Sequence, residues 1–392
     1  MLPLKISHFT VVSALGAGRD AHWQALREGR TGLRRQTFET CDLPCWTGQV
    51  TSLYAPLTGA RTAWDCRNNR LAWLALQQDG FFDAALILRE KYGADRIGVF
   101  IGTSTAGVHS TELAYRERHA TQGPLPAWFD YRRTQNCFSP ADFVREALGL
   151  QGPALAIATA CSSSAKVFAS AHRAIQAGLC DAALVGGVDS LCLTTLYGFH
   201  SLQLVADEIC RPADATRKGI SIGEAAGFAL LEKESSSPLV LLGYGESSDA
   251  HHMSAPHPQG EGAATAMRAA LARANLQPTD IDYINLHGTG TPANDAAEDK
   301  GVCAVFGSET PCSSTKGWTG HTLGAAAITE AAISWLCLER HWIPQSLNTQ
   351  QKDPALLANI LLAPQDAPVR RVLSNSFGFG GSNCSLLFGM RA

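Results

Sequence analysis

Charge is scarce in this chain: only 17% of its 392 residues are Asp, Glu, Lys or Arg, and the formal net charge is −3. A polypeptide so close to balance offers no bulk attraction for nucleic acid or for an anionic membrane surface. Long apolar runs are missing too, since no stretch approaches the ~20 uninterrupted apolar residues that span a bilayer. The N-terminus carries Lys5 and the short run FTVVSAL, but His8 and the glycines that follow make a poor secretory signal. Twelve cysteines are too few for a disulfide scaffold. Cys180, Cys192, Cys303 and Cys337 sit in apolar runs, where a thiol behaves as a small hydrophobe. Cys41 and Cys45 are close together without a second ligand pair, so no zinc site is expected. These absences predict a cytoplasmic protein in reducing surroundings, with no metal, no membrane span and no nucleic-acid partner.

What the chain does have is apolar content (45%) and 36 glycines, enough for a large packed core. Apolar runs of strand length recur along it, among them FTVVSAL, RIGVFIG, ALAIATA, DAALVGG, GFALLEK, PLVLLGYG, YINLHG, VLSNSF and CSLLFG. Between them lie helical patterns such as AHWQALREG, AKVFASAHRAIQAG, ATAMRAALARANL and AAAITEAAISWLCLER. Strands alternating with helices predict an α/β fold with largely buried sheets. The halves echo each other: GISIGEAAG runs into the strand FALLEK, and SFGFGGSN runs into CSLLFG. The charged, Ser/Pro-bearing segment 233–240 reads as the seam, giving an N-terminal half over 1–235 and a C-terminal half over 236–392. Segment 29–70 has little periodicity and reads as an insertion near the surface.

Three motifs imitate ligand sites. GAGRDA at 16–21 matches a dinucleotide fingerprint, but the second strand with its acidic end is missing about twenty residues on. Ser190 in GVDSL resembles the serine that carries phosphopantetheine, yet it follows a buried strand instead of opening a helix in a small bundle. His251, His252 and His257 lie in DAHHMSAPHPQG, a loop with two prolines and no helical ligand spacing. It reads better as a wall of a cleft.

The chemistry concentrates elsewhere. Cys161 follows ALAIATA and precedes a good helix, so it sits at the positive end of a helix dipole, which favours thiolate. His287 ends the strand YINL, at the sheet edge where ligands bind in open α/β folds. Lys316 and His321 flank a Gly-Trp-Thr-Gly loop before an Ala-rich helix. A poised cysteine, two separate histidines and a lysine are unusual company for a purely structural role.

TACSSS, HGTGTPANDAAE, TKGWTGHTLGAAA and SNSFGFGGSN, in this order, resemble the signature blocks of the β-ketoacyl-(acyl carrier protein) synthases of the thiolase superfamily. The resemblance covers nearly the whole chain. It implies a duplicated thiolase-like fold with five layers, α-β-α-β-α, usually as a homodimer. The Cys-His-His set with a lysine resembles the elongating synthases, which join a cysteine-bound acyl chain to malonyl on a carrier with loss of carbon dioxide. Carried over by position, Cys161 resembles the nucleophile, and His287 and His321 the pair that hold the malonyl thioester carbonyl. Lys316 resembles the lysine that orders the site, and Glu298 the acidic residue buried beside it. Phe379 resembles the gate whose N–H joins that of Cys161 in an oxyanion hole, and Thr289 and Thr291 the threonines that bind pantetheine.

No cofactor is implied beyond the phosphopantetheine of a separate acyl carrier protein. Trp318 is bulkier than the residue often found in that loop, which leaves the substrate open, as does the pathway: fatty acid, aryl polyene or another polyketide-like product. Arg61, Arg67 and Arg70 are candidates for carrier docking or for a solvated helix face. Three rivals remain. A thiolase-type coenzyme A acyltransferase needs a second catalytic cysteine, and Cys384 lies outside any such motif. A non-catalytic chain-length partner would lack the nucleophile, and Cys161 is present, although the chain could be the active half of a heterodimer with such a chain-length-factor-like protein. The third rival is an α/β binding module in which Cys161 is idle.

Overall fold

In the computed structural model of the chain, residues 1–391 are described apart from 52 and 54. The first half opens with Leu4–Ser13 (β1), followed by helices Arg67–Leu76 (α1) and Phe81–Tyr92 (α2). Ile97–Gly102 (β2), helix Ser139–Ala147 (α3) and Ala154–Ile157 (β3) come next. Helix Ser163–Gln176 (α4), Ala182–Asp189 (β4) and Ala225–Glu232 (β5) complete it. Strands β2, β4 and β5 are buried at every position, as expected of a sheet covered on both faces. The order is β3-β2-β4-β5-β1, parallel across β3, β2 and β4 and antiparallel through β5 to β1.

The second half repeats this plan. It comprises Leu239–Ser248 (β6), helix Glu261–Ala274 (α5), Tyr283–Leu286 (β7), helix Pro292–Phe306 (α6) and Pro311–Ser314 (β8). Helix Ala326–Arg340 (α7), Arg371–Gly378 (β9) and Ser382–Met390 (β10) close the chain. Its order is β8-β7-β9-β10-β6, with the same pattern of parallel and antiparallel pairs. Each of these five strands in one half therefore has a counterpart in the other, and the two sheets join where β1 meets β6 at Leu4–Leu241 and Lys5–Val240.

The layers follow from which faces are apolar. Helix α7 is buried from Ala326 to Leu338, and its run of alanines lets both sheets approach closely. With α4 it forms the middle layer, in one core cluster that draws on both halves. Helices α1–α3 cover the outer face of the first sheet, and α5 and α6 that of the second. Close approach is visible at Gly245 of β6, where an added Cβ would lie 1.8 Å from the Ala266 carbonyl oxygen of α5.

Two sequence expectations need correction. Segment 29–70 is not a surface insertion: Phe38, Leu43 and Cys45 pack against Leu191, Ile220 and Leu323, while Val50, Leu53, Leu57 and Trp64 join the outer core. It hides its apolar residues singly from an irregular chain, so no period shows; residues 52 and 54 of this segment lie outside the described residues. Trp318 is fully buried between the sheets and donates Nε1–H to the Gln345 carbonyl at 3.3 Å. Its bulk fills core and does not shape the substrate cleft.

Candidate active site

Strand β3 ends just before a sharp elbow. Ala160 has φ 51°, a left-handed conformation that costs a residue with a Cβ about 1–2 kcal/mol. The strain turns the chain directly from sheet into α4 and leaves Cys161 at the bend, 4% exposed. Gly378 at the end of β9 makes the facing contact possible, because an added Cβ would sit 2.8 Å from the Thr159 carbonyl oxygen. The approach brings the Phe379 N–H to the Cys161 sulfur, beside the N–H of Cys161 itself.

The two histidines arrive from the other half. His287 follows β7, and His321 sits in the loop before α7; their rings lie 5.4 Å apart at 87°. The Cys161 sulfur and ring nitrogens of both histidines lie within 4.8 Å of one another. His321 Nε2 is 3.0 Å from Sγ. At the far side of that ring the Leu323 N–H donates to Nδ1 at 3.1 Å. A backbone N–H can only donate, so Nδ1 is the acceptor and Nε2 carries the proton. The same logic fixes His287, whose Nδ1 lies 3.2 Å from the Lys316 ammonium. Both rings thus present an Nε2–H donor to the cleft. Lys316 also bonds the His287 carbonyl and the Glu330 carboxylate, and its side chain is 1% exposed.

Burial sets the charges. It holds both imidazoles well below their ordinary 6.5, with the Lys316 cation adding to the effect, so they are neutral donors at physiological pH. Burial also pushes the Cys161 thiol up to about 11, against the pull of Lys316 and of the Phe379 and Cys161 amides. The helix terminus was expected to favour thiolate; desolvation outweighs it in the free protein. The site is arranged to receive negative charge: two imidazole N–H groups, two amide N–H groups and a buried ammonium converge on it, and that ammonium opposes a metal cation at the Cys-His-His trio.

The sequence of residues 69–237 matches the family described as β-ketoacyl synthase, N-terminal domain, and residues 239–350 match its C-terminal domain. The chain belongs to the β-ketoacyl synthase family. It is 32% identical to a mitochondrial 3-oxoacyl-[acyl-carrier-protein] synthase of Arabidopsis thaliana, over 96% of this chain and 91% of that one. It is 34% identical to 3-oxoacyl-[acyl-carrier-protein] synthase 2 of Staphylococcus aureus, over 78% of this chain and 80% of that one. Among solved structures it resembles a ketosynthase (ApeO) in complex with its chain length factor (ApeC) from Xenorhabdus doucetiae. That match has TM-score 0.91 and 40% identity, covering 100% of this chain and 98% of that one. The fold is the thiolase-like one.

Other candidates fall into place around this synthase centre. Glu298 does not pair with Lys316; its carboxylate accepts the N–H groups of His287 and Gly288 at 2.7 Å each and the Asn375 amide at 3.1 Å, and burial pushes it up to about 7. The carboxylate beside Lys316 is Glu330, also pushed up to about 7 by burial against the pull of Lys316. Sequence reasoning missed it, though a lone acid inside the apolar run AAAITEAAISW was a visible signal. Thr289 and Thr291 have their hydroxyls 2.9 Å apart and line, with Phe199, Ile220, Phe377 and Phe379, a mostly apolar cleft leading to Cys161. Ser254, Ala255 and Pro256 of the histidine-bearing loop line that cleft too, whereas His251 and His252 are exposed.

Arg67 is committed to the buried Glu224 through two hydrogen bonds and Arg70 to Asp65 through two more, while Arg61 stacks 4.0 Å over Trp73. Arg67 is therefore unsuited to carrier docking. Ser190 is buried, away from any role as a carrier serine. At GAGRDA the helix start is occupied by the Asp79 carboxylate, which accepts the Arg19 N–H at 3.0 Å, leaving no anion site for a dinucleotide.

Proposed function

We propose that this chain is an elongating β-ketoacyl-(acyl carrier protein) synthase, an acyltransferase that lengthens an acyl chain by decarboxylative condensation with malonyl on a carrier. The observation that carries it is the meeting of Cys161, His287 and His321 within 4.8 Å, beside the buried Lys316. In the first half-reaction the Cys161 sulfur attacks the acyl-carrier thioester, whose oxyanion is met by the N–H groups of Cys161 and Phe379. The carrier thiol leaves with the proton that Cys161 gave up. The malonyl thioester then enters past Thr289 and Thr291, and its carbonyl oxygen takes the Nε2–H donors of His287 and His321. Carbon dioxide departs, the resulting enolate carbon attacks acyl-Cys161, and the tetrahedral adduct expels the Cys161 thiolate, which regains a proton from water. Apolar walls keep water from the acyl enzyme.

Lys316 serves by holding Nδ1 of His287 as an acceptor, with Glu330 balancing its charge and Glu298 fixing the backbone at His287. The site calls for no metal and no resident cofactor, the phosphopantetheine arriving on the carrier protein. The chain works as two fused halves, 1–235 and 236–392, in the cytoplasm. Its 40% identity to a ketosynthase seen with its chain length factor favours pairing with such a partner over a homodimer, and with it a polyene- or polyketide-like product over a fatty acid. Size-exclusion chromatography of the chain alone and co-expressed with a chain-length-factor-like protein decides between the two assemblies.

The central test is Cys161→Ala, which should abolish acyl loading and condensation on malonyl-carrier. An electrophile that captures the nucleophile should label Cys161 in the wild type. Label found chiefly on another cysteine, or full condensation by Cys161→Ala, overturns the reading.

A further inference from the structure

We propose that Asp189 is a positioning residue that fixes which nitrogen of His321 carries the proton; the inference rests on the function proposed above. Asp189 ends β4 and is fully buried. Its Oδ1 accepts the Thr103 hydroxyl at 2.7 Å, the Ser104 and Thr105 N–H groups at 2.9 Å each and the Thr105 hydroxyl at 2.8 Å. Its Oδ2 takes a second contact from the Ser104 N–H at 2.9 Å and reaches across to the Gly324 N–H at 2.6 Å. Every partner is a donor, so only a carboxylate satisfies them all. Burial pushes the carboxyl up, and these hydrogen bonds pull it back.

The Gly324 bond matters because of what stands next to it. Leu323 is held at φ 54°, a strained conformation for a residue with a side chain, and its N–H is the donor that makes His321 Nδ1 an acceptor. The His321 backbone is pinned separately: its N–H donates to the Ser221 carbonyl at 2.7 Å, and its carbonyl accepts the Gly223 N–H at 2.9 Å. Asp189 therefore controls the turn that sets the tautomer, while other contacts set the ring's place. Released from Asp189, the turn can relax, Leu323 can swing its N–H away, and the proton is free to settle on Nδ1. Nε2 would then offer a lone pair, not a donor, to the malonyl carbonyl. Decarboxylation needs that donor, whereas attack of the Cys161 sulfur on an acyl thioester relies on the amide N–H groups.

Asp189→Asn tests this closely. Four donors crowd Oδ1 and two meet Oδ2, so the amide oxygen takes the Oδ1 place and the NH₂ faces the Gly324 N–H. In ¹⁵N-histidine-labelled protein, with the His321 signals assigned through His321→Asn, the wild type should show a protonated Nε2 and a bare Nδ1. Asp189→Asn should show a mixture of the two tautomers. Malonyl-carrier decarboxylation should fall about tenfold or more, with acyl loading of Cys161 within about threefold of wild type. Gly324→Ala provides an independent route, since its Cβ would lie 2.7 Å from Asp189 Oδ2; it should reproduce the pattern, and the double variant should be no worse than the poorer single one. An unchanged His321 nitrogen pattern in both variants, or parallel loss of both half-reactions with that pattern kept, overturns the proposal. If the wild type itself fails to decarboxylate malonyl-carrier, the reaction assigned above is wrong, and the nitrogen spectra still decide the role of Asp189.

Discussion

Desolvation acts in opposite directions on the residues that meet at Cys161. It discourages the thiolate and the imidazolium alike, so the resting site is a neutral thiol among neutral donors with one buried ammonium. With the thiol pushed up to about 11, the thiolate fraction is far from saturated at pH 7. Alkylation of Cys161 by a neutral reagent such as iodoacetamide should therefore climb about tenfold per pH unit between pH 7 and 10. A plateau by pH 8, read by mass spectrometry of the Cys161 peptide, would mean that Lys316 and the helix terminus prevail over burial. The Lys316–Glu330 pair yields a second expectation. Lys316→Met strands a carboxyl in the core, and such orphaned charges cost about 3–5 kcal/mol. Because burial already lifts Glu330 to about 7, the orphan takes up a proton, and the loss should sit near the lower figure. Lys316→Met with Glu330→Leu should recover most of it in chemical denaturation, while a deficit as large as the single variant's would show that the pair was not the source.

Among the elements, the elbow and the end of β9 act as one device: a strained Ala160 and a Gly378 too close to Thr159 for any side chain. Gly378→Ala should push the Phe379 amide off the sulfur and lower acyl loading about 10–100-fold, and because its Cβ meets only backbone atoms it should lower the thermal midpoint too. Undiminished loading by the folded variant in a single-turnover assay would remove that amide from the oxyanion hole. How much of this was legible beforehand depends on the kind of order involved. Cys161, His287 and His321 announce themselves because each stands at a strand end or loop beside turn residues; the strand–helix alternation predicts buried sheets, while the five layers follow only from the family resemblance. Glu330 shows as a lone acid in an apolar run, but the partner that explains it, Lys316, is 14 residues away across a loop and a helix turn. Segment 29–70 was misread because an extended chain that buries Phe38, Cys45 and Val50 one at a time has no period to detect. The thiolate that a helix terminus favours is opposed by desolvation, which leaves no trace in the sequence. Arg67 looked available for the same reason: the carboxylate that claims it, Glu224, is 157 residues distant.

At the scale of the whole molecule, the catalytic trio spans two halves whose sheets are joined by a short strand pairing, Leu4 and Lys5 against Leu241 and Val240, and whose loops meet where His321 bridges Ile222. Beyond those local contacts, the middle layer keeps the Cys161 side and the His321 side in register. Trp335 of α7 stands at its centre, 4.8 Å from the Phe9 ring of β1, 6.2 Å from Phe168 of α4 and 5.2 Å from Phe388 of β10. Its ring touches both sheets and the facing helix, so it couples the halves as no residue confined to one of them can. Trp335→Ala should cost about 3–5 kcal/mol. Trp335→Phe should cost much less, because it keeps an aromatic ring and removes a buried Nε1–H that has no partner among the described residues. If the shared layer makes the molecule one cooperative unit, Trp335→Ala should speed hydrogen exchange equally in peptides from β2 and from β7, one in each half. Faster exchange in β7 with β2 unchanged would mean that the halves unfold separately, and another contact would then have to hold the sulfur beside the imidazole.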